Sequence, residues 1–165
     1  MYQNKDHTNL KHIVTKNSNI DITDQNSLLG IAKKISKLIN QGDNLFLYGE
    51  LGVGKTTFAR NFINQLQYRN KTNSTEVLSP TFNIVQYYDV NNRISIAHYD
   101  LYRLKSKRDL DNIGIFDFED QLINLVEWPK LLNKKKINKI SIKLKYTNNE
   151  KSRKIYIKNF GRFKN

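Results

Sequence analysis

The residues fit for chemistry begin at Gly49-Glu50-Leu51-Gly52-Val53-Gly54-Lys55-Thr56, with Thr57 next in line. Their spacing is G-x-x-x-x-G-K-[ST], the pattern of a loop that cradles phosphates. Glycines let the backbone wrap closely around an anion and turn successive N–H groups toward it. Lys55 carries a point charge on a long stem that can reach the β- and γ-phosphates of a nucleoside triphosphate. Thr56 supplies a hydroxyl where a magnesium ion would sit. A helix starting here adds the partial positive charge of its N-terminus.

Magnesium–nucleotide chemistry also needs a carboxylate near the metal, commonly at the end of a buried strand. Two acids have that setting. Ile94-Ser95-Ile96-Ala97-His98-Tyr99 leads into Asp100, and Ile123-Asn124-Leu125-Val126 leads into Glu127, the cleaner apolar approach of the two. Which of them holds metal and which orients water is open at this level, and either can also be a strand-end surface acid, cap or ion-pair partner. Ser79 and Thr81 are candidates for a switch-like contact to the γ-phosphate, or simply lead into the next strand. Trp128, the sole tryptophan, reads either as core or as a contact to nucleotide or partner. Arg60 and Arg103 are the internal candidates for balancing transition-state charge. His98, on a strand of alternating apolar residues, reads as a satisfied core histidine.

The elements that must position these groups follow from hydrophobic period and turn chemistry. Residues 1–19 are polar, with a short strand near Ile13-Val14, and residues 20–165 read as a single domain. Ile20 and Ile22 start an edge strand. Thr23 or Asp24 caps a helix running to about Asn40, its face made of Leu28, Ile31, Ile35, Leu38 and Ile39. Leu45 to Tyr48 is a buried strand feeding the phosphate loop, and Thr56 to about Gln67 is the helix after it. The stretch from Tyr68 to Glu76 has no period and reads as a mobile connection. Residues 79–88 are extended, 89–92 turn, and 93–99 form a second strand, making a hairpin. Lys107 to Ile113 is a short helix stopped by Gly114. Leu122 to Val126 is a strand ending at Glu127, and a last hairpin joins 137–146 to 155–157 through 147–150. This order implies a three-layer α/β domain with a mixed, partly antiparallel sheet.

Composition narrows the classes. The 165 residues are 38% hydrophobic and 11% aromatic, suited to one globular core. No apolar run is long enough for a membrane span and no signal-peptide core opens the chain, which reads as cytosolic. Without cysteine there is neither disulfide nor thiolate chemistry. The net charge of +13 is one-sided: Lys130 to Asn165 holds 13 Lys/Arg against the single acid Glu150. A surface for RNA or an acidic partner accounts for this basic C-terminal segment, and so does drift toward Lys, Asn and Ile in an AT-rich genome.

Taken in order, GELGVGKTTF, SPTFNIVQYY, HYDLYRL, DNIGIFDF and LVEWP resemble the bacterial TsaE (YjeE) family, small P-loop ATPases of tRNA threonylcarbamoyladenosine biosynthesis. The motifs span about Gly49 to Pro129, and HYDLYRL with LVEWP makes the resemblance specific. It implies a P-loop NTPase fold and slow, magnesium-dependent conversion of ATP to ADP that partners accelerate. It further implies work with the TsaB–TsaD complex, which threonylcarbamoylates adenosine 37 of ANN-decoding tRNAs, with tRNA met directly or through that complex. By motif position, Thr56 and Glu127 would carry magnesium. Asp100 would be catalytic or touch the nucleotide, as Lys55 would, and Trp128 would be the family's functional tryptophan. Thr23 and Arg153 would stand near the nucleotide. The region ITDQNSLLG departs from the family's Ser/Thr-rich pattern, and Asn83 replaces a frequent threonine. Two other readings share the loop: a small-molecule kinase, against which the short, arginine-poor segment from Tyr99 to Glu127 counts, and an assembly factor gated by nucleotide without essential hydrolysis.

Overall fold

The computed structural model describes residues 18–113, 119–132, 138–147 and 152–164. The expected strand near Ile13-Val14, the Gly114 stop, the residues 148–150 of the last turn and Lys134 to Lys136 lie outside them. Seven strands form one sheet: β1 (Ser18–Asp21), β2 (Asn44–Tyr48), β3 (Val85–Asn91), β4 (Ile94–Asp100), β5 (Ile123–Glu127), β6 (Lys139–Tyr146) and β7 (Arg153–Phe160). Their order is β1-β7-β6-β2-β5-β4-β3. The inner strands β6, β2, β5 and β4 run parallel, while β3 and the β7–β1 pair close the two sides antiparallel. The helices are α1 (Gln25–Ser36), α2 (Lys55–Arg69) and α3 (Lys107–Asn112). This is the mixed α/β fold expected from the chain.

Strand alternation assigns each side chain to a layer. Leu45 and Leu47 of β2, Ile96 of β4 and Ile123 and Leu125 of β5 face α1 and α2, packing with Phe58, Phe62 and Ile63. Phe46, Ala97, Tyr99 and Val126 face the other way, where Leu101, Leu110 of α3 and Leu132 cover them. Both faces of β2 and β5 are thus filled, which is why those two strands read as near-continuous apolar runs, whereas β6 alternates between buried and exposed residues.

Several boundaries differ from the sequence reading. The first helix ends at Ser36 instead of near Asn40. Its exit tightens as the amides of Leu38 and Ile39 both bond to Ile35 O, and Asn40 N is then taken by Asp43 Oδ2 at 2.6 Å. Residues 79–84 are not extended: a turn closes through Ile84 N to Pro80 O, 2.6 Å, and β3 begins only at Val85. At its far end β3 runs through the expected turn to Asn91, whose side-chain oxygen accepts from the amides of Arg93 and Ile94, fastening a shorter reversal. The connection after α2 is fastened too, by Gln67, whose amide holds both the backbone and hydroxyl of Thr75. The last strand, expected as 155–157, is longer at Arg153–Phe160 because β6 and β1 pair with it on both sides. Ser106 and Asp109 form a reciprocal capping box that starts α3.

The C-terminal end is locked by one ion pair. Asp43, 2% exposed, receives the Arg162 guanidinium on both oxygens, the Nε to Oδ1 contact being 2.8 Å, and Arg162 Nη2 also reaches Leu38 O at 2.8 Å. The bonds to Asp43 raise the Arg162 pKa above its ordinary value. Removing the guanidinium leaves a buried carboxylate without its cation. Arg162→Ala is expected to lower the unfolding free energy by about 1–3 kcal/mol, and Arg162→Lys to recover only part of it. A urea titration checks this; an unchanged midpoint in Arg162→Ala would show that the pair contributes nothing.

Candidate functional site

The loop 49–54 leaves the C-terminal end of β2 and closes under the first turn of α2. Gly49 has φ +146, and a Cβ there would lie 2.7 Å from Leu144 O of β6 and 2.8 Å from Val53 Cγ1. Gly54, at φ 110, is the residue from which α2 springs. The loop is therefore glycine-dependent at its entrance, for lack of space, and at its exit, for backbone conformation. Lys55 is 4% exposed, and its ammonium donates to Gly49 O at 3.0 Å and Glu50 O at 2.7 Å. Nζ also stands 3.8 Å from the centre of the Trp128 ring. Burial pulls the Lys55 pKa below its ordinary value, and the carboxylates of Glu127 and Asp100 partly oppose that shift.

The two acids come together through strand register. β4 and β5 are parallel with Asp100 opposite Glu127, and β2 sets Leu47 opposite Glu127. All three side chains face α2, so the first turn of that helix meets the carboxylates. Thr56 Oγ1 lies 3.0 and 3.1 Å from the two oxygens of Glu127. Glu127 is 1% exposed, and its Oε1 is also 3.0 Å from Nε2 of His98, which is wholly buried. Sequence reading treated His98 as a core histidine; it is core, yet its partner is the site's own acid. The available signal was its place two residues before Asp100, hence on the same face of β4.

Asp100 anchors the second half of the site. Its Oδ2 accepts from Ser79 Oγ and Thr81 Oγ1, both at 2.6 Å, and Oδ1 accepts from the Tyr102 amide at 3.0 Å. The turn that brings both hydroxyls there is strained at Ile84, a β-branched residue with φ 66. Asp100 N donates to Ile84 O at 2.9 Å, tying the strained residue back to the strand.

Trp128 also has a left-handed backbone, φ 57 and ψ 49, with its amide bonded to Leu47 O at 3.1 Å. That turn swings the half-buried ring back over the phosphate loop, against Lys55 on one side and Tyr102, whose ring centre is 4.9 Å away. Neither ring contact was legible beforehand, because both depend on the backbone reversal before Pro129. Leu51, Gly52, Gly54, Lys55, Thr56, Thr57, Ser79, Thr81, Asp100, Tyr102, Glu127 and Trp128 line a cleft of about 330 Å³.

Other candidates are arranged around this cleft. Thr23 Oγ1 accepts from the Arg153 amide at 3.2 Å, and the Arg153 guanidinium lies 5.5 Å from the Tyr146 ring centre. The Tyr146 hydroxyl reaches the loop at Gly52. Thr23 and Arg153 are thus neighbours of each other and, through Tyr146, of the phosphate loop. Asp24 is the N-cap of α1 but its side chain makes no cap bond. Arg60 donates to Val77 O and Arg103 lies over the Phe82 ring, so neither lines the cleft.

The donors present suit a hard cation. Thr56 and Glu127 offer oxygen atoms only, and among the described residues no cluster of three or more His, Cys, Asp or Glu could cage a metal. One hydroxyl and one carboxylate beside a phosphate site is the donor set magnesium uses when substrate phosphates and water complete its shell.

The sequence model of the family described as "Threonylcarbamoyl adenosine biosynthesis protein TsaE" matches residues 22–155. A tRNA threonylcarbamoyladenosine biosynthesis protein TsaE from Rickettsia felis is 38% identical over 104 residues, covering 61% of this chain and 58% of that protein. The Bacillus subtilis protein of the same name is 35% identical over 103 residues, covering 62% and 60%. The chain therefore matches somewhat under two thirds of the length of these relatives. In structure it is similar to Bacillus subtilis YdiB, with a TM-score of 0.66 and 26% identity over 88% of this chain and 87% of that one. The family model spans the phosphate loop, both acids, the Asp100-bound hydroxyls and Trp128 together: the chain belongs to the TsaE family.

Proposed function

We propose that this protein binds ATP with magnesium and hydrolyses it in support of the TsaB–TsaD complex, which carries out the threonylcarbamoylation of adenosine 37 in ANN-decoding tRNAs. The observation that carries the nucleotide half is the bond from Thr56, first turn of α2, to the buried Glu127 carboxylate, beside Lys55 in the same cleft. The family carries the tRNA half. Residues 20–165 act as one ATPase domain with a basic C-terminal hairpin and residues 1–19 as an extension. The protein works in the cytoplasm; among the described residues no helix is long and apolar enough to cross a membrane.

In this reading the loop amides from Gly49 to Thr57 and the N-terminus of α2 bind the phosphates. Lys55 exchanges its bonds to Gly49 O and Glu50 O for phosphate oxygens, a change of partner rather than a costly exposure, since it is buried in both cases. Thr56 and Glu127 would hold magnesium, which when bound neutralises phosphate charge and orients the terminal phosphate. His98 keeps Glu127 aimed at Thr56. Asp100, with Ser79 and Thr81, faces the same cleft and is the group placed to orient water or to contact the terminal phosphate. Thr23 and Arg153 lie on the Tyr146 side of the loop, where the base would extend.

Two measurements test this. ATP turnover is expected to be slow for the protein alone and to rise when TsaB and TsaD are added. Lys55→Ala and Glu127→Gln are each expected to reduce it by at least about a hundredfold, the scale of losing an electrostatic contact to the transition state. No stimulation by TsaB–TsaD would remove the partner role, and full tRNA modification by a hydrolysis-dead Lys55→Ala protein would leave only a nucleotide-gated assembly role. The second uses the sole tryptophan. Because Lys55 lies against Trp128, ATP binding is expected to change intrinsic fluorescence, and Lys55→Ala to abolish the response. A nucleotide-insensitive signal in a protein that binds ATP by calorimetry would disprove the exchange of Lys55 partners.

A further inference from the structure

A second cavity, about 440 Å³, adjoins the phosphate loop and is lined by Tyr48, Gly49, Glu50, Leu51, Trp128, Lys130, Lys143, Leu144 and Lys145. It shares Leu51 and Trp128 with the nucleotide cleft. Its main side chains lie on the opposite side of the sheet, however. On β6, Ile140, Ile142 and Leu144 face α1 and α2, so Lys143 and Lys145 face away from them. Tyr146, which leads from the loop toward Thr23 and Arg153, packs on the helix side. The cavity is therefore not a continuation of the site where the base of ATP would lie.

The outer face of β6–β7 extends this cavity. Register aligns Tyr48 with Lys143, Lys143 with Tyr156, and Lys145 with Lys154, while Ser141 pairs with Lys158. Lys143, Lys145 and Lys158 are exposed, and Lys145 Nζ lies 5.8 Å from the Tyr156 ring centre. Across the edge, Asp21 pairs with Lys154 and offsets that one charge. Glu50 is the acid at the cavity. What remains is a row of Trp128, Tyr48 and Tyr156 interleaved with Lys130, Lys143, Lys145 and Lys158. A solvated strand face needs polar residues, but not this sign and not these rings. Composition drift explains lysine in general but not its pairing with rings: Tyr48 and Trp128 pack against the core beneath, yet they and Tyr156 are half-buried and keep part of their surface in solvent.

We propose that this basic, aromatic face binds RNA, its lysines following the phosphodiester backbone and its rings stacking unpaired bases. Stacking and a positive groove are what single-stranded nucleic acid uses, whereas an acidic protein would match the charge but give the rings no role. The proposal deepens the reading of the chain as a tRNA-modification factor by giving the RNA a location, and it makes Trp128 common to RNA and nucleotide. It does not depend on ATP hydrolysis.

The test is fluorescence anisotropy of the full chain with a labelled anticodon stem–loop RNA across a salt series. Lys143→Gln/Lys145→Gln is expected to weaken binding by roughly tenfold or more and to flatten the log–log salt slope by about 1.5, from two lost phosphate contacts. Lys158→Glu, farther along the face, is expected to weaken it independently. Lys33→Gln/Lys37→Gln, in the last turn of α1 and at its C-cap, serves as the control of equal charge and is expected to bind like the parent. Binding of a fluorescent ATP analogue, measured in the same samples, is expected to be unchanged in all three, so failure of the nucleotide reading is seen separately. The proposal is overturned if both face variants bind RNA like the parent, if the α1 control loses as much, or if polyglutamate competes as well as the RNA. The last outcome would assign the face to an acidic protein.

Discussion

A carboxylate with almost no access to water is the constraint around which this site is built. Glu127 must be held by donors, because an ion left unpaired in an apolar layer would neutralise or unfold its surroundings. The structure supplies two, the Thr56 hydroxyl from α2 and the His98 ring from β4. Those contacts need the β4–β5 register to place Asp100 opposite Glu127 and the β2–β5 register to bring the loop alongside. A shift of one residue in either pairing would turn the acid to the other layer of the core. The sheet is thus the instrument that aligns a hydroxyl from α2, an imidazole and an acid from β4, and an acid from β5.

The second half of the site is held differently. Ser79 and Thr81 are fixed by hydrogen bonds to Asp100, on a turn that carries backbone strain at Ile84. Trp128 is likewise in a conformation that an L-residue adopts at a cost of about 1 kcal/mol or more. Trp128 lines the cleft, Ile84 lies behind it in the turn that carries Ser79 and Thr81, and both also pack against the second core layer. The rigid partners of the phosphate loop and the strained partners of Asp100 therefore meet across the same opening.

Much of this was legible in the chain. The phosphate loop has a local spacing whose chemistry is self-explanatory, and the two acids end apolar runs of strand length. The mixed sheet followed from the order of helical and extended patterns. What escaped was whatever depends on register or on a reversed backbone. His98 looked like ordinary core because the pairing that brings it to Glu127 is invisible in one strand alone. Residues 79–84 looked extended because Ser-Pro-Thr-Phe favours that conformation locally, and only the bond from Ile84 to Pro80 turns it. The C-terminal hairpin was legible from its strands and its charge excess, but which lysines share a face became defined only once the register of β6 and β7 was fixed.

The position of β6 has a consequence for how the protein comes into being. The strand that borders β2 on one side is made of residues 139–146, and Leu144 O is the atom packed against Gly49. Almost the whole described chain must emerge from the ribosome before the phosphate loop has its wall. A nascent chain that already contains GELGVGKT has the pattern but not the cradle, because a pairing nearly a hundred residues apart in sequence is among the last to close.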